Sequence, residues 1–148
     1  MTWTAQRMSD ENRAWLRQLP QTIRTNLDGR SLFLFHGSPL RANEYLWSER
    51  PSRVFARIAS DEADDIFAFG HTHEAFHRAV GPAHFVACGS VGCGTEGDAR
   101  ARYAVVYVGE PGIAVGFRSV TYDLQSVVDD MSAAGLPIDL LREPPAVH

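Results

Sequence analysis

IFAFGHTH, residues 66 to 73, decides the fold of this chain. Four apolar residues of strand length run into Gly70 and then into two histidines one residue apart. A short, continuously apolar run is the pattern of a strand buried on both faces, as in a parallel sheet. If the backbone stays extended through the histidines, His71 and His73 project to one side, about 6 to 7 Å apart. Two imidazoles on one side can meet one metal ion, or feed two ions lying about 3.5 to 4 Å apart. Each histidine can equally be a satisfied polar group in a loop, since coordination is one of several tasks of imidazole.

The same arrangement stands upstream. SLFLFHGSP, residues 31 to 39, is again an apolar strand that ends in a histidine, His36, followed by a glycine. If the two strands are parallel neighbours, His36, His71 and His73 emerge together at the carboxyl ends of the strands, where open α/β sheets place their ligands. Three neutral nitrogens there make half of a metal site. Gly37 and Gly70 permit a turn or a close backbone approach without a Cβ penalty. A third signal is CGSVGCGTEGDARARYA, residues 88 to 104, which follows the strand candidate HFVAC, residues 84 to 88. Glycines at a strand end expose backbone N–H groups that can bind an anion. Gly89 and Ser90 are the candidate phosphate contacts, with Arg100 and Arg102 available to pair with a phosphate or with water. The alternative is an ordinary glycine-rich turn.

The remaining elements follow from local signals. Ser9 to Leu19 reads as a helix, with Ser9 as its cap, Asp10 and Glu11 at its positive end, and Pro20 as its stop. Ser52 to Ser60 is a second helix, and the acidic DEADD after it reads as a solvated turn. Tyr103 to Val108, Ile113 to Phe117 and Val120 to Tyr122 are strands, with a turn at Glu110-Pro111-Gly112. Asp123 caps a final helix that Gly135 and Pro137 close. His77, His84 and His148 carry no positional signal and read as filler.

Composition bounds the function. The chain has 148 residues, 45% hydrophobic and 22% charged, which suits one globular domain, here residues 1 to 143 with a loose tail at 144 to 148. All fourteen cations are Arg, and the net charge of −4 argues against nucleic-acid or membrane-surface binding through bulk charge. No apolar run approaches the roughly 20 residues of a membrane helix, and the first twenty residues hold no apolar signal core, so the cytoplasm is the expected location. Cys88 and Cys93 read as plain buried thiols.

LFLFHGSP, then FGHTHEAF, then the Gly-Ser-Val-Gly turn, in this order and strand context, resemble the C-terminal half of a calcineurin-like metallophosphoesterase, of the small bacterial phosphodiesterase-like branch. The resemblance covers nearly the whole chain. It implies an α/β (α+β) fold, the C-terminal portion of a four-layer α-β-β-α sandwich. It also implies two divalent ions, Mn, Fe or Zn, with His36 and His71 on one and His73 on the other. The implied activity is phosphomonoester or phosphodiester hydrolysis by a metal-activated hydroxide.

The family's other motifs do not occur. No Asp is followed two residues later by His. The single Gly-Asp, Gly97-Asp98, continues as Ala-Arg-Ala, and none of Asn12, Asn26 or Asn43 precedes a histidine. These motifs belong upstream of Met1, so Met1-Thr2-Trp3 reads as the middle of such a protein. Asp61, Glu62, Asp64 and Asp65 lie at the wrong end of the IFAF strand to replace a bridging carboxylate. Glu74 points away if the chain stays extended. Three readings therefore stand together: a phosphoesterase, inactive alone without those motifs; a catalytically silent metal-binding or interaction module of the same fold; and a mononuclear zinc hydrolase held by His36, His71 and His73. An uncovered apolar face or open strand edge predicts a homodimer, or a partner that supplies the missing half.

Overall fold

The computed structural model describes residues 2–93 and 98–138. Its elements run α1 (Thr2–Arg7), α2 (Asp10–Gln18), β1 (Ile23–Leu27), β2 (Arg30–His36), α3 (Ser52–Glu62), β3 (Ile66–Gly70), β4 (Ala75–Val80), β5 (Ala83–Cys88), β6 (Ala101–Gly109), β7 (Gly112–Val120) and α4 (Leu124–Ala133). The fold is mixed α/β. A five-stranded sheet has the order β1-β2-β3-β5-β4, and β6 and β7 form a separate two-stranded sheet. The inner strands β2, β3 and β5 are parallel, and the outer strands β1 and β4 join them antiparallel.

The apolar runs form the inner strands for the reason their composition suggests. Register sets Phe33 beside Phe67 and Phe67 beside Phe85, while Phe35 lies beside Phe69. Alternation then puts all five rings on one face. Phe67 stacks on Phe85 at 4.5 Å and Phe35 on Phe69 at 5.3 Å between centroids. Phe55 of α3, fully buried, closes this face by an edge contact with Phe85 at 5.0 Å. Burying such a ring contributes about 1.5–3 kcal/mol, so this aromatic layer is the main stabilising unit. On the opposite face Ile66 and Val86 are buried, but Leu32, Leu34 and Ala68 are only half-buried. The hairpin β6–β7 packs toward this side against β4 and β5.

The capping signals hold. Ser9 accepts from the Asn12 N–H at 3.2 Å, and Asp123 from the Ser126 N–H at 3.0 Å. Three expectations need correction. Ile113–Phe117 and Val120–Tyr122 are not two strands: β7 continues through Gly116 and Arg118 to Val120, paired along its length with β6. DEADD is not a solvated turn. Asp61 and Glu62 complete α3, Ala63 adopts the left-handed cap conformation, and the carboxylates that follow are tied to other elements. Arg24 binds Glu62 and, at 3.0 Å, Asp64, while Asp65 accepts from the Ser31 N–H at 2.9 Å. The third concerns His77 and His84, which are paired with each other as set out below. No helix among the described residues is long and apolar enough to cross a membrane. The tail at 144–148 lies outside the described residues.

Candidate metal centre

Strand pairing creates the centre. β2 and β3 are parallel neighbours, and His36 is in register with Gly70, so His36 and His71 leave adjacent strands at the same level. Their ring centroids are 5.0 Å apart. Gly70 lies against the His36 ring, where a Cβ would be in ordinary contact with Nδ1 at 3.7 Å. The Gly37 N–H donates to the Gly70 carbonyl at 3.1 Å, which ties the two loops together just beyond the strands. Some desolvation, and after it the nearness of His71 and then His73, lowers the pKa of His36, although the residue is exposed, and favours the neutral form that binds metal.

The expectation of extended backbone through the histidines fails. His71 has φ 111° and His73 φ 62°, both positive without being glycine. Such conformations cost about 1–3 kcal/mol each and persist only where the surroundings impose them. Here the surroundings do so. Thr72 between them is buried, and its hydroxyl accepts from the Glu74 N–H at 3.3 Å. The chain then reverses direction into β4, and Glu74 accepts from the Ser48 N–H and hydroxyl, both at 2.9 Å. Glu74 is thus a latch on the 41–50 segment. That segment lays Tyr45 over His71 with centroids 4.2 Å apart, and Trp47 stacks on Tyr45 at 5.4 Å. The 41–50 segment went unread in the sequence because nothing in it is periodic.

Two nitrogens at the centre are orphans. His71 Nε2 and His73 Nδ1 are buried and have no hydrogen-bond partner among the described residues. A buried polar atom without a partner costs about 1–3 kcal/mol, which a ligand on that atom would recover. Neutral imidazoles suit Mn, Fe or Zn, so the residues present fit a divalent ion. They fit one in part: among the described residues no group of three or more His, Cys, Asp or Glu closes around one point.

The expected phosphate contacts lie beside β5. Gly89 has φ 83°, and a Cβ there would meet Arg102 Cβ at 2.9 Å, so glycine is required. Its N–H already donates to the Glu74 carbonyl at 3.0 Å, and Ser90 Oγ accepts from the Cys93 N–H at 3.0 Å. Arg100 is held by Asp98, Nε to Oδ1 at 2.9 Å and Nη2 to Oδ2 at 2.7 Å. These hydrogen bonds and, less strongly, those from Arg102 hold the Asp98 carboxyl well below the usual carboxylate range. The turn therefore has its own internal bonding, and an incoming phosphate would compete with it.

The calcineurin-like phosphoesterase superfamily domain matches residues 7–110. The chain belongs to the calcineurin-like phosphoesterase superfamily. Its fold is also found in solved structures. A hypothetical protein from Pyrococcus horikoshii OT3 superposes with a TM-score of 0.82 at 21% identity, over 93% of this chain and 55% of that one. A metallophosphoesterase from Sphaerobacter thermophilus gives 0.70 at 24% identity, over 95% of this chain and 62% of its own. A predicted phosphoesterase from Streptococcus pneumoniae TIGR4 gives 0.53 at 20% identity, over 71% and 59%. The chain thus spans less than two thirds of each of these proteins. No curated protein matches it. The expected α/β architecture agrees with these superpositions.

Proposed function

We propose that this chain carries the histidine half of a metal-dependent phosphoesterase centre, with His36 and His71 on one divalent ion and His73 on a second. The observation that carries the reading is the pairing of His36 and His71 at the carboxyl ends of β2 and β3, with His71 Nε2 and His73 Nδ1 buried and unpartnered among the described residues. Divalent ions bound at such a centre activate water and neutralise charge on a phosphoester. The chain's own part is to hold the imidazoles in place, through the Tyr45 ring over His71 and the Glu74 latch, and to keep the two loops tied through Gly37 and Gly70. Phosphomonoesters and phosphodiesters are the substrate class, with Gly89, Ser90 and Arg100 on the phosphate side.

The carboxylates that would bridge two ions come from polypeptide outside residues 1–148 that bears the superfamily's aspartate motifs, whether in the same chain or in a partner. Exposed apolar side chains at Trp15, Leu19 and Ile23, and at Tyr103, Phe117 and Val120 of the β6–β7 hairpin, offer surface for that association. A second reading is favoured by the absence of a three-ligand cluster among the described residues: a metal-binding or interaction module without hydrolysis of its own. Metal per chain and hydrolysis of a chromogenic phosphodiester decide between them. Two ions with turnover, both lost in His71→Ala, support the phosphoesterase. One ion or none without turnover supports the module. One ion with turnover would instead indicate a mononuclear three-histidine zinc site. Metal content unchanged in His36→Ala refutes the histidine assignment.

A further inference from the structure

A second pair of imidazoles sits at the opposite end of the sheet. His77 of β4 and His84 of β5 are diagonal neighbours, since His84 is in register with Ala79 and His77 with Val86. His77 Nε2 lies 2.9 Å from His84 Nδ1, and the rings are within 9° of parallel with centroids 5.1 Å apart. We infer that His77 and His84 form a two-nitrogen site for a borderline divalent transition ion, Cu2+ or Zn2+, separate from the centre at His36 and His71.

Two facing ring nitrogens a few Å apart are a ready bidentate donor set, and imidazole suits both ions. Across the 2.9 Å contact one ring donates its N–H to the other, and moving that proton to the far nitrogen of its ring frees both facing lone pairs with no net proton release. The pair is not part of the aromatic core: strand alternation turns Phe76, Arg78 and Val80 to the α3 face and His77 to the other. The guanidinium of Arg78 stays over the Phe55 ring, 4.7 Å from its centroid, and out of the site. His84 borders an open cleft of about 610 Å3 against the β6–β7 turn, lined also by Tyr107, Glu110 and Ala114. Among the described residues no third His, Cys, Asp or Glu closes on the pair, so the remaining coordination positions face this cleft and water or a small ligand. The expected reading of both histidines as filler is corrected by their contact. Sequence alone hid it because the two lie on different strands, one of them unrecognised.

The test is titration of the untagged full chain carrying His36→Ala, His71→Ala and His73→Ala with Cu2+ or Zn2+, followed by calorimetry. One ion per chain, with affinity falling more than about tenfold when His77→Gln or His84→Gln is added, supports the site. No binding in the triple variant, or binding unaffected by the added substitution, overturns it and leaves a hydrogen-bonded pair only. If circular dichroism shows the triple variant unfolded, the wild-type chain and its His77→Gln/His84→Gln variant are compared by metal count. Loss of one ion with the others retained supports the site, and an unchanged count overturns it.

Discussion

Gly37→Ala tests how tightly the strand-end loops are built. Gly37 is buried with φ 73°, where an L side chain costs about 1–2 kcal/mol. A Cβ would also lie 2.5 Å from the Ala42 carbonyl oxygen and 2.6 Å from that of Arg41. Both obstacles are backbone atoms of the turn that Ser38 closes, its N–H donating to the Arg41 carbonyl at 2.9 Å, so no side chain can swing aside. Forcing a methyl group into such packing costs a further 1–3 kcal/mol or so. The expected total is about 2–5 kcal/mol, a large share of the stability of about 5–15 kcal/mol typical of a domain. Gly29→Ala is the control. Its φ is 84°, but nothing lies within 4 Å of the added Cβ, so only the conformational part, about 1–2 kcal/mol, applies. Urea denaturation midpoints at unchanged slope measure both losses. Equal losses within about 0.5 kcal/mol would refute the close approach of the Gly37 and Ala42 backbones.

Glu74→Ala removes two charge-assisted bonds to Ser48 and is expected to cost about 1.5–3 kcal/mol each before relaxation. It should also weaken metal uptake at His71 and His73, read by competition with a chromogenic chelator; normal uptake would show that the latch does not set the histidine turn. Asp65 is held below the usual carboxylate range chiefly by the Ser31 N–H, and also by the Ser31 hydroxyl and Arg30. A depressed folded pKa stabilises fully above the unfolded value, and that contribution is lost as pH falls through the folded one. Asp65→Asn should therefore flatten the loss of stability as pH falls below about 4, the unfolded carboxylate value, measured by thermal melts. Phe67→Ala opens the middle of the aromatic layer and should cost about 3–5 kcal/mol by denaturant titration.

The parts of the fold legible in sequence are those where one signal dominates. β2, β3 and β5 are short apolar runs because they are inner parallel strands, and α2 and α4 announce themselves through Ser9 and Asp123. The outer strands are hidden. In β4, Ala75, His77 and Ala79 face away from the core while Phe76, Arg78 and Val80 face it, and alanines on the outer face blur the alternation that marks a half-buried strand. β1, IRTNL, has one partly buried residue, Leu27, and is held by pairing with β2 rather than by its own pattern. β7 looked interrupted at Arg118 and Ser119 because these residues are polar, yet the β6 ladder carries it through. That His36 and His71 leave neighbouring strand ends was legible from the two apolar runs that precede them. The turn itself was not: positive φ at His71 and His73 is imposed by Thr72 burial and by Glu74 gripping a segment 26 residues away in sequence, and no local residue encodes that.

The charge around the centre limits what the chain can hold by itself. Two divalent ions 4 Å apart repel by roughly 17 kcal/mol at an effective dielectric constant of about 20, so a dinuclear centre needs anionic ligands between them. The candidate donors here, His36, His71 and His73, bring no negative charge. Acidic groups of the nearby loops are committed elsewhere, Glu74 to Ser48, Glu44 to Ser38 and Asp98 to Arg100, while Asp64 and Asp65 lie at the other end of β3, held by Arg24 and Ser31. Moving any of them would break a charge-assisted bond worth about 1.5–3 kcal/mol before it gained a metal. Glu74 is nearest in sequence, yet releasing it would free the turn that aims His71 and His73. Under the proposed function the bridging carboxylate therefore comes from outside residues 1–148, and without it imidazole alone would hold a second ion more weakly than the first.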